Sequence, residues 1–263
     1  MSDITALELA LRRDRWWISG SLGLAVLLCW AWIVPMARDM YGAMDGASAW
    51  MMRGGHGLGY SLLLFAMWQV MMAGMMLPSA APTLLLYANV VRRSEQAAQA
   101  AARVHAFAAG YLLVWSGFSL AATLAQLLLA QALLLSPMMQ LRGPWSGGAL
   151  LLLAGAWQLS GIKRGCLESC RAPAAFIAGH WRAGPSGALR MGIAHGWYCL
   201  GCCWALMLLL FAGGVMNLWW IAALTAFVLL EKLAPAGARG GRLSGALLLA
   251  CGLALLLRAA WAG

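Results

Sequence analysis

Seven stretches of this 263-residue chain run for about the width of a bilayer with scarcely a charge in them, and no other feature limits the fold as much. They are Trp16–Met36, Tyr60–Val91, Val104–Leu129, Ser146–Ile162, Gly187–Gly213, Val215–Lys232 and Leu243–Trp261. Backbone in hydrocarbon has no water to bond to, so apolar runs of this length become helices that satisfy their own polar groups. With 63% of its residues hydrophobic and only 10% charged, the chain carries more apolar surface than a water-soluble domain can hide. The expected fold is all-α: a polytopic transmembrane bundle of about seven spans, one domain over residues 1–263. No small-residue cleavage pattern follows the first stretch, so it reads as a retained helix. Pro78 and Pro82 fall inside the second, where the missing N–H groups predict a kink or break near Gly74.

The net charge of +10 would suit a nucleic-acid partner if it were gathered on one face. It is spread by topology instead. Of the 18 Lys and Arg, 14 precede the first stretch or fall in or beside the even-numbered connections. Positive residues collect on the cytoplasmic side of membrane proteins. The asymmetry therefore predicts a cytoplasmic N-terminus and a periplasmic C-terminus, with lipid as partner and no role for nucleic acid. Trp16, Trp17, Trp219, Trp220 and Trp261 fall near span ends, as an aromatic belt requires.

The densest chemistry lies in the fifth stretch, RMGIAHGWYCLGCCW at Arg190–Trp204. A helix turns about 100° per residue, so His195, Cys199, Cys202 and Cys203 share an arc of roughly 100°, with Met191 one turn earlier. Cys199 lies ten residues beyond Leu189, which at about 1.5 Å per residue predicts a depth near mid-membrane. Cysteine also packs as a small apolar residue, and Gly196 and Gly201 would assist close packing. Three thiols and an imidazole on one face nevertheless match what a soft metal ion prefers. An imidazole in hydrocarbon also needs a partner.

Two further sulfur groups stand beside this face. Cys166 and Cys170, one helical turn apart, lie in the fourth connection, Lys163–Ser186, where Lys163, Arg164 and Arg171 would favour thiolate. His180 follows a short apolar piece, Ala174–Gly179, that is too short to span and is expected to lie on the membrane surface or dip into it. The second stretch carries Met67, Met71 and Met75 at four-residue spacing, with Met72 and Met76 between them. A methionine stripe often fills core space, yet Met71 and Met75 also offer thioethers to a monovalent ion. The first connection holds Met40, Met44, Met51, Met52 and His56, expected outside the membrane with no packing role. Glu231 and Lys232 read as an anchor at the cytoplasmic edge, and Gln69 and Asn217 as interhelical hydrogen-bonders.

Taken together, WQVMMAGMMLPSAAP (Trp68–Pro82), CLESC (Cys166–Cys170), HWR (His180–Arg182), the Arg190–Trp204 segment and GVMNL (Gly214–Leu218) resemble an uncharacterised bacterial family of predicted metal-binding integral membrane proteins. The resemblance extends from about Trp68 to Pro235. It implies a membrane protein that binds metal and implies no particular activity.

The residues themselves point to a soft transition metal held by Cys, His and Met: copper first, zinc as the alternative. The chain would transport the ion or hand it on, with a soluble metal carrier or other membrane subunits as partners. Two rivals remain at this stage. One is a membrane thiol–disulfide protein using pairs among Cys199, Cys202 and Cys203 or Cys166 and Cys170. It lacks a cysteine pair on the outer side. The other is a helical subunit or assembly factor of a larger membrane complex, which the Gly- and Ala-rich spans would suit. Phosphate-binding, dinucleotide-binding and Ser-His-Asp patterns are not visible, so an enzyme is the weaker expectation.

Overall fold

The computed structural model describes residues 2–42, 57–93, 99–136, 139–235 and 237–262, with side chains for all of these except 2–18, 238 and 262. Among the described residues ten helices follow one another: α1 (Ser2–Met40), α2 (Leu58–Arg92), α3 (Ala100–Gln131), α4 (Pro144–Leu159), α5 (Gly161–Arg171), α6 (Pro173–His180), α7 (Gly184–Leu208), α8 (Leu210–Gly213), α9 (Leu218–Leu233) and α10 (Gly237–Ala262). Five segments are long and apolar enough to cross a membrane: Ser19–Met40, Leu58–Arg92, Ala100–Gln131, Gly184–Gly213 and Arg239–Trp261. The other two expected stretches fall largely in α4 and α9, helices of 16 residues each. Leu24, Leu27, Leu28, Leu124, Leu128 and Leu247 point outward. Such a surface suits hydrocarbon and would be costly in water.

Helix contacts form where glycine lets backbones meet. A Cβ at Gly192 would strike the carbonyl of Phe107, and one at Gly110 the carbonyl of Leu189. Gly196 lies against Tyr111 and Val114. Residue numbers rise together along this seam, so α3 and α7 run parallel. Gly148 faces Gly252 and Leu256, whereas Gly155 faces Gly245 and Leu249. There the order reverses, and α4 and α10 are antiparallel. Small residues at helix crossings are what association in lipid requires, because hydrophobic burial supplies no drive there.

The expected break in the second span is absent. α2 continues through both Pro78 and Pro82. Side-chain donors converge on this turn: the hydroxyls of Ser79 and Tyr111 both donate to the Met76 carbonyl, at 2.8 and 3.0 Å. Membrane helices tolerate proline when hydroxyls and neighbouring helices re-satisfy the turn in this way.

The fourth connection also departs from expectation. Residues 161–180 form α5 and α6, folded against α7 with Lys163, Leu167, Phe176 and Ile177 buried. The hydroxyl of Ser160 accepts from the Lys163 N–H at 3.1 Å, starting α5 immediately where α4 ends. Within Ala174–Gly179, Phe176 and Ile177 pack against the bundle, while Ala174, Ala175, Ala178 and Gly179 are exposed. Asn217 caps α9 by accepting from the Trp220 N–H at 3.2 Å, a local role in place of the expected interhelical one.

Candidate metal centre

α7 turns His195, Cys199, Cys202 and Cys203 into the protein, and all four side chains are buried. The thiols of Cys202 and Cys203 each donate to the Cys199 carbonyl at 3.0 Å, which draws both sulfurs towards the same turn. Cys199 is the hub. Its Sγ lies 3.0 Å from the Tyr111 hydroxyl of α3, and it accepts from Lys232 Nζ of α9 at 2.9 Å. The same ammonium donates to Ser79 Oγ at 3.0 Å. From α2, Met76 brings its thioether to 3.9 Å from Cys203 Sγ.

Helix α5 adds the second pair of thiols. Cys170 interacts with both Cys199 and Cys202, and Cys166 lies close enough that a Cβ at Gly201 would come within 2.7 Å of its Sγ. Cysteines of α5 thus face those of α7. The basic residues of α5 do not favour thiolate as expected. Hydrogen bonding towards Cys199 and Cys202, with burial, pushes the Cys170 thiol well up, and burial raises Cys166. Those cations are engaged elsewhere: Lys163 binds Glu231, and Arg171 donates to the carbonyls of Glu231, Ala234 and Pro235.

The cluster lies beside the ends of α4 and α9 and the middle of α2. Lys232 is the penultimate residue of α9, and Trp157, near the end of α4, donates to the Gly201 carbonyl at 3.0 Å. Cys199 is therefore level with the last turns of two short helices.

Glu231 and Lys232 are buried, so neither is an exposed anchor. Glu231 takes the Lys163 ammonium at 2.6 Å, with both side chains 2% exposed. Gln158 joins the pair, donating to Glu231 at 2.9 Å while its carbonyl accepts from Lys163 at 2.5 Å. A cavity of about 220 Å³ opens on this side of α5, lined by Lys163, Arg164, Glu168, Arg171, Glu231 and Arg242. α5 consequently carries charge on one face and sulfur on another.

The remaining expected ligands lie apart from the hub or at its edge. His195 sits among the rings of Phe107, Tyr111 and Phe176, at centroid distances of 5.9, 5.8 and 5.1 Å. Its Nδ1 is buried without a hydrogen-bond partner among the described residues, a costly state for an imidazole nitrogen. His180 stacks on the other ring contact of Phe176, at 4.5 Å. Met71 and Met75 are buried on α2, but it is Met76 that reaches the cysteines. Met191 is buried one turn before His195. Met40 is fully buried and so has a packing role after all, while Met44, Met51, Met52 and His56 lie outside the described residues.

Among the described residues, no three His, Cys, Asp or Glu side chains form a ready-made metal site. The thiols here point at a carbonyl and at one another. Rotation about χ1 would free them, since a thiol hydrogen bond is weak. The donor set itself, thiols with a thioether and an orphaned imidazole nitrogen alongside, fits a soft monovalent ion. Sequence reasoning missed Tyr111, Ser79, Lys232 and Met76 as its neighbours. The signals were present: a lysine closing an apolar helix, and polar hydroxyls in runs of Leu, Ala and Met.

The class defined here is a helical bundle with helices long and apolar enough to cross a membrane and with buried cysteines on facing helices. The family model PpoB2, described as a copper chaperone, matches residues 65–255. The chain belongs to that family, in agreement with the resemblance carried by its motifs. The description names copper, and nothing in it points to zinc. No curated protein and no solved structure matches the chain.

Proposed function

We propose that the protein is a membrane-embedded chaperone that holds Cu(I) on Cys199 and Cys202 and hands it to a soluble carrier or membrane partner. Cys170, Cys203 and Met76 are the adjoining sulfur donors, Cys166 lies at the rim, and His195 with Met191 stands one turn away. The observation that carries this reading is the convergence on the Cys199–Cys203 turn of α7 of the Cys170 thiol from α5, at Cys199 and Cys202, and the Met76 thioether from α2, at Cys203. Cu(I) accepts two or three sulfur ligands, so an incoming thiolate can add before an outgoing one leaves. The ion then passes between proteins without being hydrated, and no electron is exchanged. Loading the reduced, detergent-purified protein with Cu(I) should give stoichiometric metal. Protein that retains none after desalting contradicts the reading.

In the same reading the bundle crosses the bacterial inner membrane seven times, with the N-terminus in the cytoplasm. Two parallel helices need an odd number of crossings between them, so the parallel seam of α3 and α7 supports a crossing by α4. The antiparallel seam of α4 and α10 in turn supports one by α9. Trp145, Trp219 and Trp261 stand exposed at the α4 start, the α9 start and the α10 end, which are the same side in this topology. A reporter fused after Gly263 should be active only if it works outside the cytoplasm, and one inserted at Gln96 only inside. A C-terminal reporter active in the cytoplasm contradicts the count of seven.

A further inference from the structure

The geometry points to Lys232 as the residue that sets the charge of the cargo, making the sulfur cluster a site for a monovalent ion held by two thiolates. This inference rests on the copper reading above and extends it to selectivity. Lys232 Nζ is the cation aimed at the thiols: it reaches Cys199 Sγ at 2.9 Å and has Ser79 Oγ as its second acceptor at 3.0 Å. The neighbouring charges are spent in other directions. Lys163 and Glu231 neutralise each other, and Arg171 is turned to the carbonyls at the end of α9.

A buried site tolerates little net charge, because an uncompensated ion far from water pays a large desolvation penalty. One monovalent ion on two thiolates carries a charge of −1, and the Lys232 ammonium brings the sum to zero. A divalent ion on the same two thiolates is neutral by itself, so with Lys232 it leaves a buried positive charge. It regains neutrality only by recruiting a third thiolate. The remaining thiols are already engaged, Cys203 with the Cys199 carbonyl and Cys170 with Cys199 and Cys202, and each would have to leave its partner and lose its proton to serve. Ser79 gives the ammonium a place to rest when metal takes its position at Cys199. The inference concerns the number of charges, not the identity of every ligand.

The test compares Cu(I) and Zn(II) affinities of the wild-type protein, Lys232→Met and Lys232→Arg in detergent, each measured against a competing chelator. Lys232→Met should lower the Cu(I) affinity at least about tenfold and leave the Zn(II) affinity unchanged or raised, because the charge left uncompensated now belongs to the copper complex. Lys232→Arg keeps the charge and should retain the wild-type ratio. Helical circular dichroism and elution volume report whether each variant is folded. If Lys232→Met misfolds, Lys232→Gln together with Ser79→Ala makes the same comparison at similar volume. An unchanged Cu(I)/Zn(II) ratio in a folded, uncharged variant overturns the role of Lys232. Failure of the wild-type protein to bind Cu(I) at all overturns the chaperone reading instead.

Discussion

Cys199→Ala should reduce Cu(I) affinity by more than about a hundredfold, since even groups that only support metal ligands are worth about 10–100-fold. Cys199 touches Lys232 and Tyr111 directly, and Cys170 through its thiol. Truncation removes a ligand and also strands the Lys232 ammonium, leaving Ser79 as its acceptor. Cys203→Ala should be milder, because Cys203 approaches the thioether of Met76 and lies about 100° round the helix from Cys202. Chelator competition on the two variants checks the order. A Cys203→Ala loss larger than the Cys199→Ala loss would place the metal on the α2 side of the cluster.

Lys163→Met should destabilise the fold by about 3–5 kcal/mol, the usual consequence of removing one partner from a buried ion pair. Glu231 would be left among apolar helices with Gln158 as its remaining close donor. The double variant Lys163→Met with Glu231→Met should recover most of that loss, because an apolar pair of similar volume leaves no charge stranded. Thermal unfolding in detergent, followed by helical signal, distinguishes the three proteins. A single variant within about 1 kcal/mol of wild type would mean that water reaches the pair through the adjoining cavity and screens it.

Much of the candidate site was legible along one helix and none of it across helices. The spacing of His195, Cys199, Cys202 and Cys203 puts them on one face, because within a helix the angle per residue is nearly constant. The Cys166–Cys170 pair gives no such signal, as its distance in sequence from Cys199 says nothing about where α5 folds. A clue lay in Lys163 and Leu167, which share one side of α5 and are both buried. Apolarity alone marked the five long spans. It also marked α4 and α9, which are 16 residues each and whose direction emerges only from the glycine seams. Pro78 and Pro82 suggested a break because local rules cannot see a hydroxyl arriving from α3. Lys232 was assigned to the interface because lysine at a span end commonly snorkels. Here Cys199 and Ser79 hold it inside.

X-ray absorption at the copper K-edge, recorded on the reduced and Cu(I)-loaded protein, reads the donor atoms without any assumption about residues. The account predicts a first shell made of sulfur, two or three atoms, with an edge typical of Cu(I), and a smaller sulfur count in Cys199→Ala under the same loading. A first shell dominated by nitrogen or oxygen, or a sulfur count indifferent to Cys199, would contradict it and move the site away from the α5–α7 cluster.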